Sequence, residues 1–507
     1  MRKKKAIINF LFSLLVELIT VVYGFVVPRL IIGAFGSEIN GLTHSIASFI
    51  GYITLLQSGV GAVAKAALYR PLAVKDTEGL NVAVHTIERF FRKIALLTVI
   101  YIGVLSVLYP LVIANEHDFS FVFSLVIIIG ISTAAQYFFG ITYRMLLDAD
   151  QNSYVVSVVQ IVSLIANTVF IVILIKIGAS IQIVKLASAS VFVIRPFVLY
   201  LYARRKYKLV RTKAVDNSLI KQRWDGFYQH IAYFIHSKTD VFVLTIFSSF
   251  ENVSVYGVYA MVTTGLTTII KSADRAITST LGNIIALKQK DSLQRVFGAY
   301  TVFIHFVATI LFSTASVTVY RFITIYVDNI NDADYIQPVF GILIIAAEYV
   351  YCLRLPYNSI INAAGKFKET KIPAVIEAGL NIVISVILVN IFGLIGVAIG
   401  TLTAMGYRLV SFVLYLRKDV VYLSVKVQAA RLALSAALYS INVLVFSRIE
   451  LPTDNYFYWA IYAAVIAFLC TLVTLLGNLI FARKQLISAF RLLVSRRKRK
   501  SRRAENL

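Results

Sequence analysis

The chain is built from apolar runs, each long enough to cross a lipid bilayer, with little sequence left between them. A span needs about 20 mostly apolar residues, because a rise of about 1.5 Å per residue must cover a hydrocarbon core of roughly 30 Å. In lipid every backbone polar group has to find its partner inside the segment, so each run reads as a helix. Fourteen spans are marked, from 6–34, 40–68, 91–114 and 119–146 through 227–249 and 253–286 to the last at 456–482. The predicted fold class is therefore an all-α polytopic membrane protein with about 14 transmembrane helices. Composition agrees, with 59% of the 507 residues hydrophobic and 15% charged. The basic head MRKKK precedes an apolar stretch longer than a signal-peptide core, so the first run is taken as a retained span.

Charge assigns the sides. With the N-terminus placed inside, 37 of the 50 Lys and Arg fall in or beside cytoplasmic segments, and the outward connections hold only Arg448. That asymmetry is the positive-inside pattern, and it puts both termini in the cytoplasm. The net charge of +25 is concentrated in juxtamembrane clusters such as RRKYKLVRTK (204–213) and RRKRKSRR (496–503). Anionic inner-leaflet lipid accounts for these clusters, and no nucleic-acid partner is implied. Cys352 and Cys470 lie inside apolar runs, so neither a disulfide framework nor a cysteine metal site is expected. The sequence contains no GxxxxGK[ST] loop and no HExxH, so no nucleotide cofactor and no catalytic metal are expected. Membrane lipids are the expected surroundings.

The sequence also repeats. FVLYL occurs at 197–201 and 412–416, YRMLLDADQNSY (143–154) aligns with YNSIINAAGKFK (357–368), and Lys75-Asp76 aligns with Lys290-Asp291. Gly41 with Gly257 and Asn167 with Asn381 keep the same offset of about 215 residues. Six spans per copy return the chain to its starting side, so the copies share an orientation, a transporter's plan with two parallel six-helix lobes. The expected domains are an N-terminal lobe at 1–210, a C-terminal lobe at 218–420, two additional transmembrane helices at 421–485 and a basic cytoplasmic tail at 486–507.

The hairpin VVPRLIIGAFGSEINGLTHSIASFIGYITLLQSGVGAVAKAALYRPLA (26–73), the NAAGKFKET segment (362–370) and the 6 + 6 + 2 span plan resemble the polysaccharide flippases of the multidrug/oligosaccharidyl-lipid/polysaccharide exporter superfamily. The resemblance implies a protein of the bacterial cytoplasmic membrane that moves undecaprenyl-pyrophosphate-linked oligosaccharide repeat units to the outer leaflet by alternating access. It further implies a cationic cavity between the lobes and other polysaccharide-assembly proteins as partners. A lipid II flippase and a multidrug extruder of the same superfamily are the alternatives. A membrane-embedded polysaccharide polymerase or acyltransferase is more remote, because the outward connections are at most about ten residues long and leave no room for a catalytic loop, so no enzyme activity is expected.

Charges inside the spans mark the site. A mid-span charge costs about 2.5–3.5 kcal/mol on insertion scales. Five such groups facing lipid would cost on the order of 15 kcal/mol, as much as the roughly 5–15 kcal/mol that keeps a protein folded. Lys238, Asp240, Lys271, Asp274 and Arg275 must therefore face water or one another. Thr267, Lys271, Asp274, Arg275 and Thr278 recur every three or four residues and share one helix face. Lys238 and Asp240 are two apart and point in nearly opposite directions, so they form no private pair. A diphosphate can be gripped by guanidinium forks and by ammonium point charges, and Arg29, Lys65, Lys238, Lys271 and Arg275 are the candidates for that role. Glu17, His236, Asp240 and Asp274 are candidates for proton or sodium coupling. Lys176, Lys185, Arg321 and Arg431 lie near span ends, where their stems can reach the headgroups. Arg354, on the span that also carries Glu348, is expected to pair with a neighbouring helix.

Overall fold

The computed structural model describes residues 2–57, 60–114, 116–210, 212, 214–220, 238–287, 289–366, 369–421, 424–483 and 486–487. These residues are helical almost throughout, and no strand occurs among them. Among the described residues, twelve helices are long and apolar enough to cross a membrane. Close backbone contacts divide the chain into two compact units, Met1–Ser254 and Val255–Leu507.

The first unit opens with α1 (Arg2–Gly51), which at 50 residues would be about 75 Å long, twice what a bilayer needs. It is two spans. Gly36 breaks it with φ 86°, a conformation that glycine adopts without the Cβ penalty, and this is where the sequence separates spans 6–34 and 40–68. The second of these is itself interrupted: α1 ends at Gly51, a 3₁₀ turn covers Tyr52–Gln57, and α2 resumes at Val60–Val74. α3 (Thr77–Val112) starts well before the expected 91, capped by the Asp76 carboxylate on the Gly79 N–H. Its early turns, rich in charge, form an amphipathic extension of the span rather than a loop.

α4 (Phe119–Ala135) passes through a π turn at Gln136–Gly140 into α5 (Ile141–Ala149), and together they make the fourth span. α6 (Ser153–Lys176) and α7 (Ile181–Tyr207) follow. α6 packs on α1, where Asn167 donates to the Tyr23 hydroxyl at 2.8 Å and Asn9 accepts from the Tyr154 N–H at 2.9 Å. α8 (238–247) is the described end of the expected span at 227–249. It packs on the last turns of α1 through Phe242 against Phe49 and a 2.6 Å hydrogen bond between Ser45 and Thr245.

In the second unit, α9 (Phe250–Ala286) runs unbroken. α10 (Lys290–Tyr326), α11 (Pro338–Ala363), α12 (Lys371–Phe392) and α13 (Leu394–Lys418) complete the duplicated set. The repeated segments fall on matching elements. Lys75-Asp76 and Lys290-Asp291 sit at the start of the long helices α3 and α10, FVLYL lies in α7 and α13, and Asn167 and Asn381 are buried in α6 and α12. α14 (Val425–Phe446) and α15 (Tyr456–Phe481), outside the duplication, pack on α10. Their polar anchors are Ser316 with Tyr439 at 2.7 Å and the Trp459 indole donating to the Thr318 carbonyl at 3.2 Å.

Candidate functional site: charged groups inside the spans

In the first unit, Lys238 is the only one of the five candidate cations that lies on α8, and its stem crosses Gly51. Its Cε lies 3.6 Å and its Nζ 4.0 Å from the place a β-carbon would occupy there. Gly51 ends α1, where helix carbonyls lose their partners and the helix dipole turns negative, a favourable seat for a cation. Two of those carbonyls are capped locally: the Tyr101 hydroxyl donates to Phe49 O and the Thr54 hydroxyl to Gly51 O, both at 2.7 Å. A broken span with a cation at the break is the kind of irregular backbone that membranes tolerate only where it is buried in protein or lines a cavity.

Asp240 is buried, 3% exposed, two residues along α8 from Lys238. His236 lies outside the described residues. His44, two turns before the break, was not singled out from sequence. Its Nδ1 is buried with no hydrogen-bond partner among the described residues.

The other candidates of this unit stand apart. Glu17 and Arg29 are half-buried on the first half of α1, and the Arg29 guanidinium lies over Gly33, 3.1 Å from its would-be β-carbon. Lys65 on α2 is already engaged, its ammonium 3.0 Å from the Asp148 carboxylate on α5. Asp148 also accepts from the Ser153 hydroxyl at 2.9 Å. Its position at a helix end within a repeated segment hid it from sequence reasoning. Arg195 on α7 donates to Gln160 at 3.1 Å and shares with Arg144 and Gln136 a cavity of about 120 Å³ beside the π turn.

In the second unit the charged residues of α9 have different partners. The Asp274 carboxylate is turned to hydroxyls, accepting hydrogen bonds from Tyr300 on α10 and Ser359 on α11. The Lys271 ammonium lies 4.7 Å from the centre of the Tyr351 ring, a cation–π contact. Arg275 is exposed and donates to Ser272 at 3.1 Å. Thr278 donates to the Asp274 carbonyl at 2.9 Å and the buried Thr267 to Thr264, so both hydroxyls serve their own helix.

Arg354 pairs with a neighbouring helix as expected, and the partner is Glu377 on α12; Glu348 is on α11 with it. Glu377 also meets Arg408 of α13 at 3.4 Å, and Arg408 donates to the Thr370 carbonyl at 3.2 Å. All three charges are under 10% exposed. This is a closed structural triad joining α11, α12 and α13. Glu377, a lone carboxylate in the run KIPAVIEAGLNIVISV, was the available signal for it. Arg321 reaches the α14–α15 connection, donating to the Leu451 carbonyl at 2.8 Å. His305 is a packing histidine, its Nε2 3.0 Å from the Leu353 carbonyl.

Helices long and apolar enough to cross a membrane, with ionisable groups set inside them, define a polytopic α-helical membrane protein, and its fold is similar to that of solved transporters of nearly the same extent. The lipid II flippase MurJ, in an inward closed conformation, is similar with a TM-score of 0.71 and 14% identity, over 94% of this chain and 99% of that one. The MATE multidrug transporter DinF-BH, in a ligand complex, is similar at 0.58 and 17% identity, over 82% of this chain and 97% of that one. An inward-facing multidrug resistance MATE family transporter of the MOP superfamily gives 0.57 and 13%, over 80% and 97%. No protein-family model matches the sequence, and no curated protein matches it.

Proposed function

We propose that the chain is a flippase that carries undecaprenyl-pyrophosphate-linked oligosaccharide repeat units across the bacterial cytoplasmic membrane by alternating access, for cell-surface polysaccharide assembly. The observation that carries this reading is the arrangement on α9. Its carboxylate, Asp274, is occupied by the hydroxyls of Tyr300 and Ser359, while Lys271 and Arg275 on the same face supply positive charge. Cations set within apolar spans suit an anionic headgroup, whereas an extruder of cationic drugs needs an acid-dominated cavity. Lys238, at the break after Gly51, and Arg29 supply further charge. Lys65, in the same unit as these two, is paired with Asp148. The diphosphate is the constant part of such a substrate and the sugar the variable part, so recognition through phosphate tolerates different sugars. Ion coupling falls to Asp274, Asp240 or Glu17, with His236 as a relay.

A second reading is favoured by one finding, the fold-level likeness to the lipid II flippase over 94% of the chain. Lipid II presents the same polyprenyl diphosphate handle, so both readings use the same cations. Depletion of the protein in its native host separates them. Accumulation of a diphosphate-linked oligosaccharide on the inner leaflet with peptidoglycan synthesis intact supports the first; accumulation of lipid II supports the second; accumulation of neither rules out both.

A further inference from the structure

One cavity of the first unit lies away from the groups considered so far. It encloses about 840 Å³ and is bounded by the opening turns of α3, the π turn, the end of α7 and the segment that follows α7. That segment is fastened over α3, with the Val210 N–H donating to Asn81 at 3.1 Å and the Asp216 N–H to the Thr86 hydroxyl at 3.0 Å. The walls carry three arginines, Arg89 and Arg92 from α3 and Arg204 from α7, against one carboxylate, Glu88. Glu88 is taken by Arg92 at 3.1 Å. Arg204 is aimed by its own helix, donating to the Tyr200 hydroxyl at 2.6 Å and lying over the Tyr200 ring. Arg89 is exposed and makes no hydrogen bond or ion pair among the described residues. The floor is aromatic, formed by Phe138, Phe139, Tyr143 and Tyr200.

Exposed aromatic rings stand at the cavity, Phe139 in its lining and Phe197 packed on Phe139. Phe139 and Phe197 are 39% and 45% exposed beside it, and they belong to helices that cross the membrane. Aromatic rings with arginines at the end of a span are the composition of the membrane–water interface. By the distribution of Lys and Arg this is the cytoplasmic end, where anionic lipids give the leaflet its negative potential and basic pockets between spans bind phosphate headgroups. A soluble phosphate compound would have no use for the aromatic floor or the exposed rings, whereas a phospholipid uses all three features.

We infer that this pocket is a binding site for the phosphate-bearing headgroup of an anionic inner-leaflet lipid, held by Arg89, Arg92 and Arg204 with its chains lying along Phe139 and Phe197. The inference is independent of which substrate the spans carry. Its test is native mass spectrometry of the full-length protein released from nanodiscs of phosphatidylcholine containing either phosphatidylglycerol or a polyprenyl diphosphate, with soluble glycerol phosphate as competitor. The wild type is expected to retain anionic lipid over phosphatidylcholine. Arg89→Gln should lower that retention about five-fold and Arg89→Gln with Arg204→Gln about twenty-five-fold, since each cation near a membrane surface is worth about 1 kcal/mol. Arg70→Gln, an exposed arginine on α2 outside the pocket, should leave it unchanged. Whichever anionic lipid is retained identifies the source of the phosphate. Equal retention of phosphatidylcholine, equal retention by the Arg89 variants, or displacement by glycerol phosphate would overturn the assignment. Arg89 lies at the surface and has no hydrogen bond or ion pair to lose among the described residues, so its variant separates lost binding from lost folding.

Discussion

The Lys238 side chain lies across Gly51, at the residue where the second span loses its helical continuity. The contact brings a cation to the negative end of a helix at a break. It also makes the size of residue 51 a control on where that cation points.

A β-carbon at position 51 would sit 3.6 Å from Lys238 Cε, an ordinary van der Waals distance. Gly51→Ala is therefore expected to insert and transport much as the wild type does. Gly51→Leu fills the space that the stem occupies and turns the ammonium away. Loss of a charge-assisted contact of about 1.5–3 kcal/mol predicts a transport rate lower by roughly 10- to 100-fold with normal membrane insertion. The check is surface glycan display against protein abundance in the membrane.

Glu377 pairs with two buried arginines, Arg354 and Arg408. Glu377→Gln leaves both cations in a low-dielectric interior, and removing one partner of such a group costs about 3–5 kcal/mol. Glu377→Gln is expected to lower the melting temperature of the purified protein sharply. Replacing all three charges by apolar residues of similar volume should restore much of the loss.

The Asp274 carboxylate depends on hydroxyl donors from α10 and α11. Tyr300→Phe removes one of them, at about 1.5–3 kcal/mol for a hydrogen bond to a charged group. Transport by Tyr300→Phe should show a pH profile displaced from that of the wild type, while Asp274→Asn should abolish the pH dependence. Unaltered profiles in both would take Asp274 out of ion coupling.

Outside the spans, Lys366 and Asp419 form a clamp at 2.7 Å between the ends of α11 and α13. The Lys366 ammonium holds the Asp419 carboxyl below the usual carboxylate range, helped by the Val420 N–H. Asp419 in turn raises the Lys366 pKa. The lowered carboxyl contributes stability above the unfolded value of about 4, lost as pH falls through its folded value. The raised amine contributes stability that is full below about 10 and is lost as pH rises through its folded value. The clamp is thus predicted to be indifferent to pH between about 5 and 9. Lys366→Gln should lower the melting temperature slightly, equally across that window and less so in high salt, since both side chains are about a third exposed.

The all-helical, membrane-spanning class was legible because it is carried by long runs of apolar residues, which one sequence displays in full. The break at Gly36 was visible as the gap between two spans. The second break, at Tyr52–Gln57, was not, since YITLLQ is as apolar as the helix around it. α3 begins before the span expected at 91–114; its first turns carry Glu78, His85, Glu88 and Arg89, which disguise a helix as a loop. The stripe on α9 was legible from its spacing alone. Its partners Tyr300, Ser359 and Tyr351 were not, because they come from other helices, as does the pairing of Lys65 with Asp148. Which charges meet is a property of tertiary packing. Periodicity only says which face they share.

The central claim is that cations within the spans hold an anionic lipid-linked headgroup. Its most direct test is the affinity of the purified protein for undecaprenyl diphosphate, compared with that of Lys271→Ala and Lys238→Ala, with a neutral polyprenol as control. Each substitution is predicted to weaken diphosphate binding by at least about tenfold, from about 1.5–3 kcal/mol per charge-assisted contact, and to leave polyprenol binding unchanged. Diphosphate affinity equal to that of the wild type in both variants would contradict the account.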